Sequence, residues 1–303
     1  MTKDFVTIKP EYLERWDQIA RIVGIDQKTY QPEVKVVSNG PGSFPFGIIF
    51  NPYRANRYGG KPEGCILCGV KDQVKADPRK SLDIYSHFPG FYITANAFPT
   101  TRGLSIAIPA CHKSMHTTDD LSELPSELAP MFRFAEESGF RAFWNSEGFG
   151  ASLPEHRHIQ FTNFGAAYNL SGTRWGFDVA EQTPTSITQS VRTMPSFPFA
   201  HLIFDTDPEK ITDFLRKIGI THGHEYEKGA VPYAIAQGEH GVLVSPAKTN
   251  IKKGPGSGDL AGHIHYTERE QFEQGNDALY QSCLERLGKV LFSKKEINLE
   301  TYL

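Results

Sequence analysis

A chain of 303 residues with 39% hydrophobic and 22% charged side chains can bury one large core or two of ordinary size. Its net charge of −3, with no long basic run, predicts no nucleic-acid partner but does not argue against a phosphate-bearing small molecule, which needs only a local positive pocket. No apolar run nears the roughly 20 residues of a membrane span, and Met1-Thr2-Lys3-Asp4-Phe5 lacks the apolar stretch of a secretion signal, so no membrane partner and a cytoplasmic location are expected.

Residues Glu11 to Val23 read as an amphipathic helix with Tyr12, Leu13, Trp16, Ile19, Ala20 and Val23 on one face. Strand-like runs follow at Val34 to Ser38 and Phe46 to Phe50, then an Arg- and Gly-rich loop from Asn51 to Gly64 that carries Arg54 and Arg57. Further strands fit Phe91 to Ala95 and Leu104 to Pro109. Leu121 to Ser138 reads as a helix whose start is broken by Pro125 and Pro130. Phe140 to Asn145 and Arg157 to Thr162 read as strands on either side of a glycine-bearing turn. The second half brings a strand at His201 to Asp205, a helix at Pro208 to Ile218, and strands at Tyr233 to Gln237 and Gly241 to Ser245. A loop with Lys252, Lys253 and several glycines leads to a last helix from about Thr267 to Phe292, with Cys283 on its apolar face. Strand, helix and hairpin, done twice, predict a pseudo-duplicated α+β fold with mainly antiparallel sheet and flanking helices. The expected halves are residues 1–170 and 171–303.

The residues that carry chemistry begin with His156, His158 and Gln160. On a strand these positions share a face, while Arg157 and Ile159 point away. Three readings stand: a surface strand, a His-x-His site with one catalytic metal on both rings, or one histidine as ligand and the other as nucleophile. Cys65 and Cys68 have the spacing of a zinc knuckle, and two distant ligands would close it. His112 and His156 are the candidates, with Cys111 and His116 competing. In a chain that looks cytosolic the cysteine pair points to metal or redox work rather than a structural disulfide. The turn Asn145-Ser146-Glu147-Gly148-Phe149-Gly150-Ala151-Ser152 reads either as an ordinary tight turn or as a cradle of amides for phosphate.

Asn145 to Gln160, with Asn51-Pro52-Tyr53-Arg54, the cysteine pair, Tyr92 to Pro99 and Leu104 to His112, resembles the histidine-triad (HIT) superfamily in its galactose-1-phosphate uridylyltransferase-like branch. That branch includes diadenosine tetraphosphate phosphorylases and GDP-hexose phosphorylases. The match runs in order over about residues 46–165, and Tyr233 to Gly262 loosely resembles the phosphorylases' second half. The resemblance implies a HIT-like fold, with a catalytic first half that carries the knuckle and a degenerate second half. It implies Zn2+ at Cys65, Cys68, His112 and His156, the nucleophile at His158 and a phosphate contact at Gln160. Asn96 would face the ribose, Asn145 and Ser152 would support the histidine and phosphate, and Gly150 would bind substrate in the same turn. The implied partners are a nucleotide or nucleotide-sugar substrate and a phosphate or sugar-phosphate acceptor, and a homodimer is compatible with it. Three departures stand out: Arg102-Gly103-Leu104 lacks a Gly-His pair, Ala97 replaces an acidic residue of uridylyltransferases, and Glu155 lengthens the step from Ser152 to His156.

Neutral imidazole attacks phosphorus and leaves well once protonated, so a histidine nucleophile implies ping-pong transfer. An amide at position 160 cannot protonate a leaving group as a third histidine could, which favours transfer or phosphorolysis over hydrolysis. The rivals are a triad-type hydrolase, a zinc-stabilised nucleotide-binding module without catalysis, and a His-x-His metalloenzyme. His263-Ile264-His265 reads as a surface strand with incidental histidines, and Lys248, Lys252 and Lys253 as a solvated loop or a second phosphate contact.

Overall fold

The computed structural model describes residues 8–53, 65–85, 88, 90–97, 99–118, 120–149, 153, 155–162, 184–226, 229–238, 241–249 and 255–303. Among these, no helix is long and apolar enough to cross a membrane. The first helix, α1 (Pro10–Ile22), opens on Pro10, where the missing N–H removes no helical bond, and buries Tyr12, Trp16, Ile19 and Ala20. Two strands, β1 (Glu33–Val37) and β2 (Phe46–Phe50), pair antiparallel. Then come α2 (Ile66–Ala76), β3 (Phe91–Ala95), β4 (Ser105–Pro109), α3 (Leu124–Ser138), β5 (Arg141–Asn145) and β6 (Ile159–Thr162). The second half holds β7 (Thr185–Ser186), β8 (Val191–Thr193), β9 (Leu202–Phe204), α4 (Pro208–His222), β10 (Tyr233–Gly238) and β11 (Gly241–Pro246). It ends with α5 (Ser257–Leu260), β12 (His263–Tyr266), α6 (Arg269–Phe272) and α7 (Asn276–Gly288).

Nine strands form one sheet in the order β3-β4-β6-β5-β10-β11-β9-β8-β7. The sequence strand, strand, helix, strand, strand occurs as β3-β4-α3-β5-β6 and again as β8-β9-α4-β10-β11. Within each run the spatial order is first, second, fourth, third. The two third strands meet antiparallel at the centre, with Trp144 opposite Ile235. The sheet is therefore a topological duplication about a pseudo-twofold between β5 and β10, and the α+β architecture agrees with the sequence reading.

One sheet face packs on α1, α3 and α4 in a core that includes Trp16, Phe134, Phe161, Trp144, Leu215 and Val244. The other face carries a three-stranded sheet, β1-β2-β12, in which β12 runs parallel to β2. Apolar side chains of α7 and β12, among them Leu279, Leu287 and Ile264, join Leu243 and Ile203 of the large sheet there.

Several boundaries differ from expectation. The long last helix is two: α6 and α7 are separated at Gly275, whose extended backbone (φ −61°, ψ 154°) starts α7 afresh. Helix α3 begins at Leu124, with Pro125 tolerated in its first turn and Pro130 inside it. Helix α2 has no counterpart among the expected elements, because Leu67 and Val74 alone supply its buried stripe. The strand expected over 157–162 starts at Ile159, so His156 and His158 precede it. The pair His263 and His265 does lie on a strand, but not a surface one: His263 and Ile264 are buried.

Candidate active site

Directly paired residues of an antiparallel ladder share a face. One row therefore crosses the whole large sheet: Thr94, Ile106, Gln160, Phe143, Ala236, Leu243, Ile203, Arg192 and Ser186. Two apolar patches cover this face near its first half. Over β4, Ile106 and Ile108 pack on Leu67 of α2, with Cys65 and Leu153 alongside. Over β5 and β10, Phe143 and Ala236 pack on Ile49 and Ala261. Gln160, half-buried, lies between the two patches. The start of β6 thus lies between the α2 side and the small-sheet side.

The α2 side carries four potential ligands. Cys65 precedes the helix in extended conformation, which sets its side chain beside that of Cys68 in the first turn. The ligand atoms of Cys65, Cys68, His112 and His156 all lie within 4.8 Å of one another. Cys68 Sγ and His112 Nδ1 are 3.1 Å apart, and the imidazoles of His112 and His156 have centroids 4.7 Å apart. Both cysteines are free thiols. His156 Nδ1–H donates to its neighbour Arg157's carbonyl at 2.8 Å, which leaves the lone pair on Nε2. That Nε2 atom is buried and has no hydrogen-bond partner. An orphaned buried acceptor is costly, and an ion among the four donors would satisfy it. Burial also lowers the His156 pKa, which keeps the ring in the neutral form that binds metal. The residues present fit a metal ion. Cys111 and His116, which competed for the site on sequence, stand outside the cluster.

His158 is also outside that cluster among the described residues, so one ion shared by both histidines is not the arrangement seen. Its ring is buried, and Nδ1–H donates to the His156 carbonyl at 2.9 Å. A carbonyl only accepts, so this bond fixes the tautomer and puts the lone pair of His158 on Nε2. The two rings thus use the same device, a main-chain carbonyl on Nδ1, for different ends.

Arg157, between them, has a role the sequence reading passed over. Its main-chain N–H donates to the Lys113 carbonyl at 2.7 Å, which draws the chain out of the sheet ladder before Ile159. Its guanidinium is buried and donates to the Ser114 carbonyl (2.8 Å), Glu123 (2.6 Å) and Glu127 (2.9 Å). Glu127, itself buried, also lies 3.0 Å from His116 Nε2, while His116 Nδ1–H donates to the Asp120 carbonyl at 2.9 Å. His116 stacks on Trp144 with centroids 5.5 Å apart. Hydrogen bonds from Lys113 and then Arg157 hold the Glu123 pKa down to about 2. This network ties the ligand-bearing segment after β4, the start of α3 and the histidine segment into one unit. The missed signal was a glutamate at a core-facing helix position: Leu124, Glu127, Leu128, Met131 and Ala135 are all buried.

The turn after β5 is held by protein. Ser146 N–H donates to the Tyr233 carbonyl, Glu147 N–H to the His116 carbonyl and Phe149 N–H to the Ser146 carbonyl. Gly148 takes the left-handed conformation, φ 82°, that lets the chain reverse there. These three amides are therefore committed, and a phosphate cradle would have to use later ones. Gly150 and Ser152, expected at the phosphate, lie outside the described residues, as do Arg54, Arg57, Lys252 and Lys253. Asn96 is buried just past β3, two positions on from Thr94 and so on the face that carries Gln160. Asn145 ends β5 two positions on from Phe143, and so lies on the face that carries Gln160. Lys248 pairs with Glu296 at 3.4 Å, and Cys283 packs in the core with its thiol pKa pushed up to about 12 by burial.

Fold and site together define a duplicated α+β architecture in which a Cys2His2 cluster stands beside a tautomer-fixed histidine. No family model and no curated protein matches the chain. Among solved structures it resembles yeast Ap4A phosphorylase Apa2, with a TM-score of 0.66 at 14% identity over 95% of this chain and 96% of that one. The same enzyme in complex with Ap4A gives a TM-score of 0.63 at 14% identity, covering 95% and 99% of the two chains. Its complex with AMP gives 0.60 at 12% identity, covering 94% and 97%. The likeness establishes a shared fold over nearly the whole length.

Proposed function

We propose that this chain is a nucleotidyltransferase of the phosphorylase kind, acting on a dinucleoside polyphosphate or a nucleoside diphosphate sugar through His158. The observation that carries this reading is the division between two neighbouring histidines. His156 directs its orphaned Nε2 to the Cys2His2 cluster, and His158 is held by its Nδ1 bond with a lone pair on Nε2. The fold shared with Ap4A phosphorylase, a protein solved with Ap4A and with AMP, supports a nucleotide substrate.

The reaction runs in two displacements. His158 Nε2 forms a bond to the α-phosphorus, and the bond from that phosphorus to the bridging oxygen breaks, releasing a nucleotide or a sugar phosphate. An oxygen of inorganic phosphate or of a sugar phosphate then attacks the same phosphorus, and the P–N bond breaks to restore the imidazole. The Gln160 amide, between the two apolar patches, donates to a phosphate oxygen and lacks the proton a hydrolase would give its leaving group. Asn96 takes the ribose, with Asn145, Gly150 and Ser152 around the phosphate. Cys65, Cys68, His112 and His156 would hold a zinc ion, which would supply rigidity rather than chemistry. The first half, to about residue 170, carries the reaction and residues 171–303 support it.

Intact-mass spectrometry after mixing with Ap4A or a nucleoside diphosphate sugar tests the proposal. A covalent nucleotidyl adduct that accumulates without acceptor and is discharged by phosphate or sugar phosphate is expected. Turnover with no adduct, or an adduct discharged only by water, overturns it.

A further inference from the structure

The second half of the chain reaches the side of the sheet that carries Gln160 through Asn145. Ser257, at the start of α5, donates its main-chain N–H to Asn145 Oδ1 at 2.6 Å, across a sequence separation of 112 residues. The residue before it, Gly256, lies against the same amide. A Cβ at Gly256 would stand 3.2 Å from Asn145 Nδ2, 3.3 Å from Oδ1 and 3.6 Å from Cγ. The backbone there is extended (φ −120°, ψ −170°), a conformation open to any residue, so the Asn145 contact and not chain strain is what a side chain would violate. The turn is itself anchored: Gly256 N–H donates to Asp259 Oδ2 at 3.0 Å, and Arg286 of α7 holds Asp259 Oδ1 at 2.9 Å. At Gly258, two residues on, a Cβ would meet nothing within 4 Å.

An asparagine amide has two ends of opposite character, and it can turn over to present either. An N–H donor on Oδ1 removes that choice. We propose that Ser257 and Gly256 are positioning residues: they lock the Asn145 amide so that its Nδ2 group, a donor, is presented on the sheet face that carries Gln160. This rests on the proposed transfer at His158. A donor placed there stabilises negative charge that builds on the phosphate oxygens during attack, whereas the flipped amide would oppose it. The second half, whose own third and fourth strands are joined by only residues 239–240, thus completes the site of the first half through one hydrogen bond and one missing side chain.

The matched pair Gly256→Ala and Gly258→Ala tests this. Both add one methyl group to the same short segment, and only the first meets Asn145. Gly256→Ala should lower kcat several-fold and Gly256→Val about 100-fold, with KM for nucleotide held within about two-fold, as expected when a donor for the transition state is displaced by a fraction of an ångström. Gly258→Ala should leave both constants unchanged. Asn145→Asp, which keeps an oxygen for Ser257 but loses the donor, should lose about 100-fold or more in kcat. The side-chain amide proton–nitrogen signals of Asn145, assigned by their loss in Asn145→Asp, should shift in Gly256→Ala and stay in place in Gly258→Ala. Equal kcat in the two alanine variants overturns the proposal, and so does an unmoved Asn145 signal in Gly256→Ala. If the wild-type protein transfers no nucleotidyl group, the transfer reading fails on its own, and the amide signals still decide whether Ser257 holds Asn145.

Discussion

The two halves of the large sheet share a strand order and differ in how their third and fourth strands are joined. In the first half β5 reaches β6 through residues 146–158, which include His156, Arg157 and His158. In the second, only residues 239–240 stand between β10 and β11, with Gly238 paired to Gly241. Gly241 has φ 119°, and a Cβ there would sit 2.2 Å from the Phe204 carbonyl oxygen, so the tight hairpin requires glycine. The faces differ accordingly. In the shared row, Gln160 of the first half is left half-buried between two patches, while Leu243 of the second is fully buried against α7 and the small sheet. One topology thus carries a long, histidine-bearing connection in one place and plain apolar packing in the other. The proposed chemistry resides in a connection, not in the fold.

The hardest test of that contrast is His158→Gly. Removing the proposed nucleophile should cut nucleotidyl transfer by roughly 10⁴-fold or more. Metal content and melting temperature should stay near those of the wild type, and added imidazole should restore part of the activity by occupying the vacated space. His156→Gly should lose metal and stability together. An adduct that persists in His158→Gly, or metal lost from it, would show that the two rings have been assigned the wrong way round.

Next in size is the cluster itself. Cys65→Ser, or a strong chelator, should release close to one ion per chain and cost several kcal/mol, because binding energy at a structural site is folding energy. Metal analysis beside calorimetry checks this. A metal-free protein that keeps its melting temperature and its activity would rule out a structural ion.

Third is Arg157→Met. It strands Glu127, only 8% exposed, beside His116 with no guanidinium partner, which should cost about 3–5 kcal/mol by urea unfolding. Adding Glu127→Gln should return part of the loss, since the uncompensated charge goes with it. Independent, additive losses would mean that the network is not a unit.

Much of this is written in local pattern. Phe46 to Phe50 and Phe91 to Ala95 read as strands and are strands, because buried sheet needs apolar, β-branched or aromatic runs whatever their partners. The Cys-x-x-Cys pair and two histidines could be matched because ligand chemistry limits the choice of residue. Three features are hidden for different physical reasons. Helix α2 is short and rich in Lys and Asp, so its stripe is weak. The histidine segment alternates like a strand, yet its backbone bonds run to Lys113 and Leu153 instead of a ladder. The Ser257–Asn145 bond joins distant segments, and nothing local in either marks it.

The smallest expected effect concerns acid, and it belongs to the second half. His201 is locked as a neutral ring, with Nδ1–H donating to the Phe199 carbonyl at 2.8 Å and Nε2 accepting from Met194 N–H at 2.9 Å. Burial lowers its pKa to about 3, and burial alone does the same for His263. An unfolded histidine binds its proton near pH 6.5. Between pH 6.5 and 3 the unfolded chain therefore holds protons that the folded one refuses, and stability drops as pH falls through that window. Each such ring should add about 1.4 kcal/mol per pH unit to the slope once its unfolded form is protonated. Urea unfolding at several pH values between 7.5 and 4 should show His201→Gln with a shallower slope than the wild type, even though its stability at neutral pH is lower. Glutamine can still donate and accept at that place but cannot titrate. If the slopes coincide, the acid sensitivity of this chain originates elsewhere, and the closed packing of the second half is not what makes it sensitive.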